Sequence, residues 1–151
     1  MKEKSTIIVL ITLVSLLIVG CAPSSFVKGH SAGWKTIELN ENLKNNYDKS
    51  WQKTVDTIAR DYDIEMMDKD SGYMRTSWLY GISGGIYNRY RGRITVKYPE
   101  VNEPEKVEVK TDAQWLLDPS YGVWQRGWDR SFNREVFTTL SGRLGRTVAP
   151  D

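Results

Sequence analysis

Between residues 89 and 115 the sequence alternates twice between apolar and charged side chains. Tyr90, Gly92, Ile94, Val96 and Tyr98 interleave with Arg89, Arg91, Arg93, Thr95 and Lys97. Val107, Val109, Thr111, Ala113 and Trp115 then interleave with Lys106, Glu108, Lys110, Asp112 and Gln114. Successive side chains of a strand point to opposite faces, so each run offers one face to a core and one to water. Two such runs joined by a loop at residues 99–104 read as a hairpin in an antiparallel sheet covered on one side only. An all-helical fold and a parallel sheet buried on both faces are thereby excluded.

The cover for that apolar face can be read as well. Leu43, Tyr47, Trp51, Val55, Ile58, Ala59 and Tyr62 recur at three- and four-residue intervals, with Asp48, Lys49, Lys53, Asp56 and Arg60 between them. This pattern predicts an amphipathic helix over residues 46–61. A second helix, residues 129–144, is predicted from Phe132, Val136, Leu140 and Leu144, with Asp129 as its N-cap. Residues 34–39, 64–67 and 73–80 read as strands. Asp68-Lys69-Asp70-Ser71-Gly72 reads as a turn, since a calcium loop starting at Asp68 would need a carboxylate where Leu79 stands. The expected fold is α+β, a two-layer sandwich with an antiparallel sheet of four to five strands and two helices on one face, in the order β-α-β-β-β-β-α. At 151 residues and 17.4 kDa the chain suits one domain, expected over residues 34–147 with a tail at 148–151.

The amino-terminal end has a different composition. Lys2 and Lys4 precede an apolar run from Ile7 to Val19 that only Thr12 and Ser15 interrupt. At about 1.5 Å per residue that run reaches about 20 Å, short of the roughly 30 Å hydrocarbon core, so residues 1–20 read as a signal peptide. Leu17-Ile18-Val19-Gly20-Cys21 resembles the bacterial lipobox. The resemblance implies cleavage between Gly20 and Cys21, a diacylglyceryl thioether on Cys21 and fatty acylation, such as palmitate, of the new amino group. Two or three chains, at about 0.8 kcal/mol per buried methylene, anchor a domain firmly. Lipidation also accounts for the only Cys, otherwise an unpaired thiol in an oxidising compartment. Ala22, in place of an Asp after the lipidated Cys, resembles the outer-membrane default, so the expected location is the outer membrane, facing the periplasm. Residues 21–33 read as the lipidated Cys and a polar tether containing a solvated His30.

Chemistry is sparse in the rest of the chain. Lys+Arg 21 against Asp+Glu 19 leaves a net charge of +2, with no basic field for nucleic acid. One Cys and one His make no disulfide framework and no metal set, and leave no second His for acid–base work. Gly81-Ile82-Ser83-Gly84-Gly85 lacks the Gly-Lys-Ser/Thr ending of a phosphate loop, and Asp61, Asp63, Asp68 and Asp70 read as turn caps. No catalytic residue, metal or cofactor is expected.

Two connections, residues 80–88 and 117–128, are expected at one end of the sheet, both rich in Gly, Tyr, Trp and Ile. Large side chains beside flexible Gly suit a contact surface, and aromatic residues and Arg dominate binding hot spots. Tyr87, Tyr121, Trp124 and Arg126 are therefore the candidate docking patch for an envelope protein. The alternative has the rings cover the core edge, with Trp124 and Trp128 against the last helix. Arg89, Arg91 and Arg93 are candidate anion-binding residues. Unpaired, they favour an anionic lipid or lipopolysaccharide, whereas pairing with Glu108 and Asp112 makes them surface decoration.

A lipobox Cys followed by strand, helix, antiparallel strands and helix resembles the helix-grip domain of BamC-like lipoproteins of the outer-membrane β-barrel assembly machinery. The local likeness lies in residues 47–78, where a helix with Trp51 and Val55 runs into Tyr62-Asp63-Ile64 and then Asp68-Lys69-Asp70-Ser71-Gly72-Tyr73. A weaker order of elements extends over residues 34–146. Those lipoproteins carry two such domains and a long extended amino-terminal segment, against one domain and a short tether here. The architecture is also similar to LptE-like lipoproteins of the lipopolysaccharide translocon. The likeness implies a non-catalytic scaffold or accessory subunit of an outer-membrane complex, β-barrel assembly in the first place. Its partners would be the membrane, through acylated Cys21, and an envelope protein complex. A lipid-, lipopolysaccharide- or glycan-binding lipoprotein and a structural lipoprotein without a ligand site are the alternatives.

Overall fold

The computed structural model describes residues 22–86 and 88–148. The segment expected as a signal peptide, Cys21 and Tyr87 among the expected sites lie outside the described residues. In chain order the elements are β1 (Phe26–Lys28), β2 (Lys35–Leu39), α1 (Tyr47–Ile58), β3 (Ile64–Asp68), β4 (Tyr73–Thr76), β5 (Leu79–Tyr80), a 3-10 turn (Ile82–Gly84), β6 (Tyr90–Lys97), β7 (Lys106–Asp118), β8 (Val123–Asp129), α2 (Arg130–Leu144) and β9 (Gly145–Val148). The fold is α+β, with one open antiparallel sheet of nine strands and two α-helices among the described residues.

The alternating hairpin forms the middle of this sheet. Strands β6 and β7 pair in unbroken register from Tyr90↔Trp115 to Lys97↔Glu108. Strand β7, at 13 residues, is long enough to hold two neighbours along its other edge. Its first half pairs with β2 and its second half with β8. Strand β9 continues outward from β2, and β1 from β8. On the far side β4 and β5 share the edge of β6, with β3 outside β4.

One face of the sheet carries the core, which contains Ile37, Met74, Tyr90, Ile94, Val96, Tyr98, Val107, Val109 and Trp115. Helix α2 adds Phe132, Val136, Phe137, Leu140 and Leu144, and α1 adds Trp51 and Ile58. The inner stripe of α1 is more polar than its apolar periodicity predicts, since Ser50, Thr54 and Thr57 are buried while Ala59 is exposed. Their hydroxyls bond back to helix carbonyls, and Thr54 Oγ1 also meets the Tyr98 hydroxyl at 2.7 Å. Buried polar side chains therefore cost little here. Among the described residues every buried side-chain nitrogen and oxygen has a partner.

Asp129 caps α2 as its sequence position predicts, its Oδ1 accepting from Phe132 N at 2.7 Å. It does more than cap. Fully buried, its carboxylate also accepts Ser83 Oγ at 2.6 Å, Tyr90 OH at 2.5 Å and Ser25 Oγ. Burial alone would raise this carboxyl. The bonds from Phe132 N, Ser25, Ser83 and Tyr90 outweigh it and hold the group below the usual carboxylate range. Ser83 reaches the site from the left-handed region, φ 52°. One charge thus joins the amino-terminal segment, the 3-10 turn, β6 and α2.

The structure corrects four expectations. The sheet has nine strands in place of four or five. Part of the segment expected as tether is folded. Phe26 N donates to Pro23 O in a turn, β1 pairs with β8, and Ala32 is buried with its N–H on Thr111 O. Residues 123–128, expected in a loop, belong to β8, leaving only a tight turn in which Asp118 Oδ1 accepts from Ser120 N at 2.8 Å and Gly122 takes φ 63°. Residues 145–148, expected to follow the last helix without further structure and to begin the tail at 148, form β9 on the free edge of β2.

Candidate functional site

Among the described residues no helix lies over the second face of the sheet. Strand alternation brings Arg91, Arg93 and Lys97 of β6 to this side, beside Glu108, Lys110, Asp112 and Gln114 of β7. On β8 the same alternation brings Trp124, Arg126 and Trp128, because Leu116 faces Trp124 and Gln114 faces Arg126 in the register. Trp34, just before β2, and Trp78, between β4 and β5, lie over the same side, as their cations show.

Arg91 is the centre of this surface. Its guanidinium lies 3.8 Å from the Trp124 ring centroid and 4.7 Å from that of Trp78. Its Nε and Nη2 donate to Gln114 Oε1 at 3.0 and 2.7 Å, and Nη1 donates to Tyr80 OH at 2.8 Å. Among the described residues no carboxylate forms an ion pair with it. Planar stacking and a forked donor set are properties of Arg that Lys lacks. Each cation–π contact is worth about 0.5–1 kcal/mol when exposed and more when desolvated.

Its neighbours are arranged differently. Arg93 pairs with Asp112 at 3.1 Å and lies 4.4 Å from the Trp78 ring. Lys97 meets Glu108 at 3.8 Å, and Lys97 and Lys110 approach Trp34 at 6.0 and 5.0 Å. The Arg stripe therefore divides. Arg93 is neutralised as the pairing alternative requires, Arg91 is held by neutral groups alone, and Arg89 precedes β6, its carbonyl receiving Leu116 N.

A cleft of about 420 Å³ opens on this side beside β8, lined by His30, Trp78, Arg93, Asp112, Gln114 and Arg126 among others. His30 thus borders a polar cleft with two arginines. Of the candidate docking residues, Trp124 and Arg126 belong to this face, and Tyr121 stands in the β7–β8 turn at 83% exposure. Tyr87 lies outside the described residues. Trp124 packs on Tyr80 and Arg91, on the face of the sheet away from the core. Among the described residues no group of three His, Cys, Asp or Glu side chains could hold a metal ion.

Sequence reasoning missed Trp78, Tyr80, Gln114 and His30. Met74 and Thr76 point into the core, so unbroken alternation would send Trp78 inward too. The strand breaks instead at Ser77, whose N–H goes to Asp63 O, and pairing resumes one step later in β5. That break has no sequence signature. No protein family matches the chain, and a search of curated proteins finds no match either.

Proposed function

We propose that the protein is a lipid-anchored, non-catalytic lipoprotein of the outer membrane that works by contact, as a scaffold or accessory subunit of an envelope complex. β-Barrel assembly is the machinery that its likeness to helix-grip lipoproteins suggests. Its contact surface is the open face of the sheet. The observation that carries this reading is Arg91, fixed between Trp78 and Trp124 on a face that no helix among the described residues covers. Aromatic and Arg side chains held rigid before binding lose little entropy on association, which is what a binding hot spot requires. The lipobox at Cys21 supports the anchor, and no helix among the described residues is long and apolar enough to cross a membrane.

Replacing Trp78 and Trp124 together by Ala tests the reading. Neither ring is part of the core, so the melting temperature is expected to fall by only a few degrees. Envelope proteins that co-purify with the lipidated wild type are expected to be lost. Unchanged partners alongside normal melting would overturn the proposal.

The missing carboxylate at Arg91 favours one second reading, in which the same face takes the anionic groups of lipopolysaccharide or an acidic glycan. Lipopolysaccharide that co-purifies with the wild type and is lost with Arg91→Gln would select it.

A further inference from the structure

We infer that the cleft beside β8, where the amino-terminal segment crosses to β7, is a binding site for a sugar acid, a pyranose ring that carries one carboxylate. This deepens the second reading above, that the open face takes anionic groups, and rests on it. It adds the place and the chemical class of the ligand.

The cleft exists because two strands share one edge of β7. Strand β2 pairs with β7 as far as Val109, and β8 pairs with it from Ala113 onward, so the edge between them has no strand. The amino-terminal segment fills that gap. Gly29 N donates to Arg126 O at 3.1 Å and Ala32 N donates to Thr111 O at 3.1 Å, which carries His30 and Ser31 from β8 across to β7. There they line the cleft together with Trp78 and polar side chains of β6, β7 and β8. At about 420 Å³ its volume lies within the range of about 300–1,000 Å³ found for small-ligand sites.

The charges of the lining select the anion. Arg93 and Asp112 meet at 3.1 Å and cancel. Arg126 is exposed, and among the described residues its guanidinium forms no ion pair and no hydrogen bond. Counting His30 as neutral, the lining therefore carries one surplus positive charge. A carboxylate balances that charge, and its two oxygens fit the forked donors of a guanidinium. A phosphate monoester, at about −1.5 to −2, overshoots it.

The rest of the lining suits a ring with hydroxyls. Gln114 Oε1 takes both Arg91 bonds, which turns the amide N–H groups away from Arg91 as donors. The Asp112 oxygen not engaged by Arg93 accepts, and the Ser31 hydroxyl and the His30 ring can donate or accept. The Trp78 indole offers an apolar surface on which the C–H face of a pyranose packs. Arg91 and Arg93 already hold that ring, at 4.7 and 4.4 Å, so little freedom is lost when a ligand arrives. A fatty acid or an apolar peptide finds no apolar side chain here beyond Trp78 and Ala113.

A chemical-shift titration of the whole protein, purified in detergent and followed at the Trp78 indole N–H, tests this. The probes are glucuronate, N-acetylmuramate and ketodeoxyoctulosonate. N-acetylglucosamine serves as the uncharged sugar and inorganic phosphate as the anion without a ring. At least one sugar acid is expected to bind about tenfold more tightly than either control. Arg126→Gln is expected to weaken that binding about tenfold and, at an exposed position, to leave the melting temperature unchanged. The acid that binds best distinguishes a cell-wall glycan from lipopolysaccharide as the source. Phosphate or N-acetylglucosamine binding as tightly as the acids overturns the inference. Sugar-acid binding that is lost with Arg91→Gln and kept with Arg126→Gln overturns this inference alone and leaves the second reading standing. No binding by any acid also overturns it, and the second reading falls with it if no lipopolysaccharide co-purifies with the same preparation.

Discussion

Asp129 shows how much one side chain organises here. Its position ahead of the Phe132–Leu144 stripe marks it as an N-cap, and that role can be read in the sequence. Its grip on Ser25, Ser83 and Tyr90 cannot, because those partners lie 104, 46 and 39 residues away. Asp129→Ala removes the cap and leaves buried hydroxyls without an acceptor, which should cost about 3–5 kcal/mol in denaturant melts at pH 7. Asp129→Asn keeps the shape and removes the charge, and so isolates the pH term. The native carboxyl titrates below its unfolded value of about 3.9. Its charge-dependent stabilisation is therefore complete above that unfolded value and is lost as the pH falls through the lower native one. The stability gap between wild type and Asp129→Asn is expected to be full at pH 6 and to narrow on acidification to pH 3. A gap that does not change with pH would show that the carboxylate is not the charged acceptor described.

At the scale of elements, legibility followed regularity. Strands β6 and β7 are long, strictly alternating and central, and α2 has both a cap and a four-residue stripe. All three were readable. Strands β1, β8 and β9 were not. Strand β1 has three residues and exists because β8 offers it a free edge. In β8 the rings of Trp124 and Trp128 lie on the face away from the core while Gly127 is buried, which inverts the usual strand pattern. Gly127 is needed there because a Cβ would come within 2.1 Å of Val27 O and 2.7 Å of the Phe26 ring. Gly127→Val should therefore expel β1 while the central hairpin holds. Amide exchange is expected to speed up at residues 26–28 with residues 107–115 still protected. Equal loss of protection in both segments would mean that β1 is integral to a single cooperative unit.

For the whole molecule the main property is asymmetry. One side of the sheet carries two helices and a closed core, and the other carries cations interleaved with indoles. The one-sided cover was legible from the alternation at residues 89–115. The site on the open side was legible only in part, through Arg91, Arg93, Trp124 and Arg126. Trp78 and Gln114 become its members only once the break at Ser77 and the register of β8 are known. The claim on which the account turns is that this open side, and not the helical side, meets the partner. Photo-crosslinking in intact cells tests it most directly, with a photoreactive side chain placed either at Arg126 or at Gln52 of α1, both exposed. The account predicts a crosslinked envelope protein from position 126 and none from position 52, and crosslinking from 52 with none from 126 would contradict it.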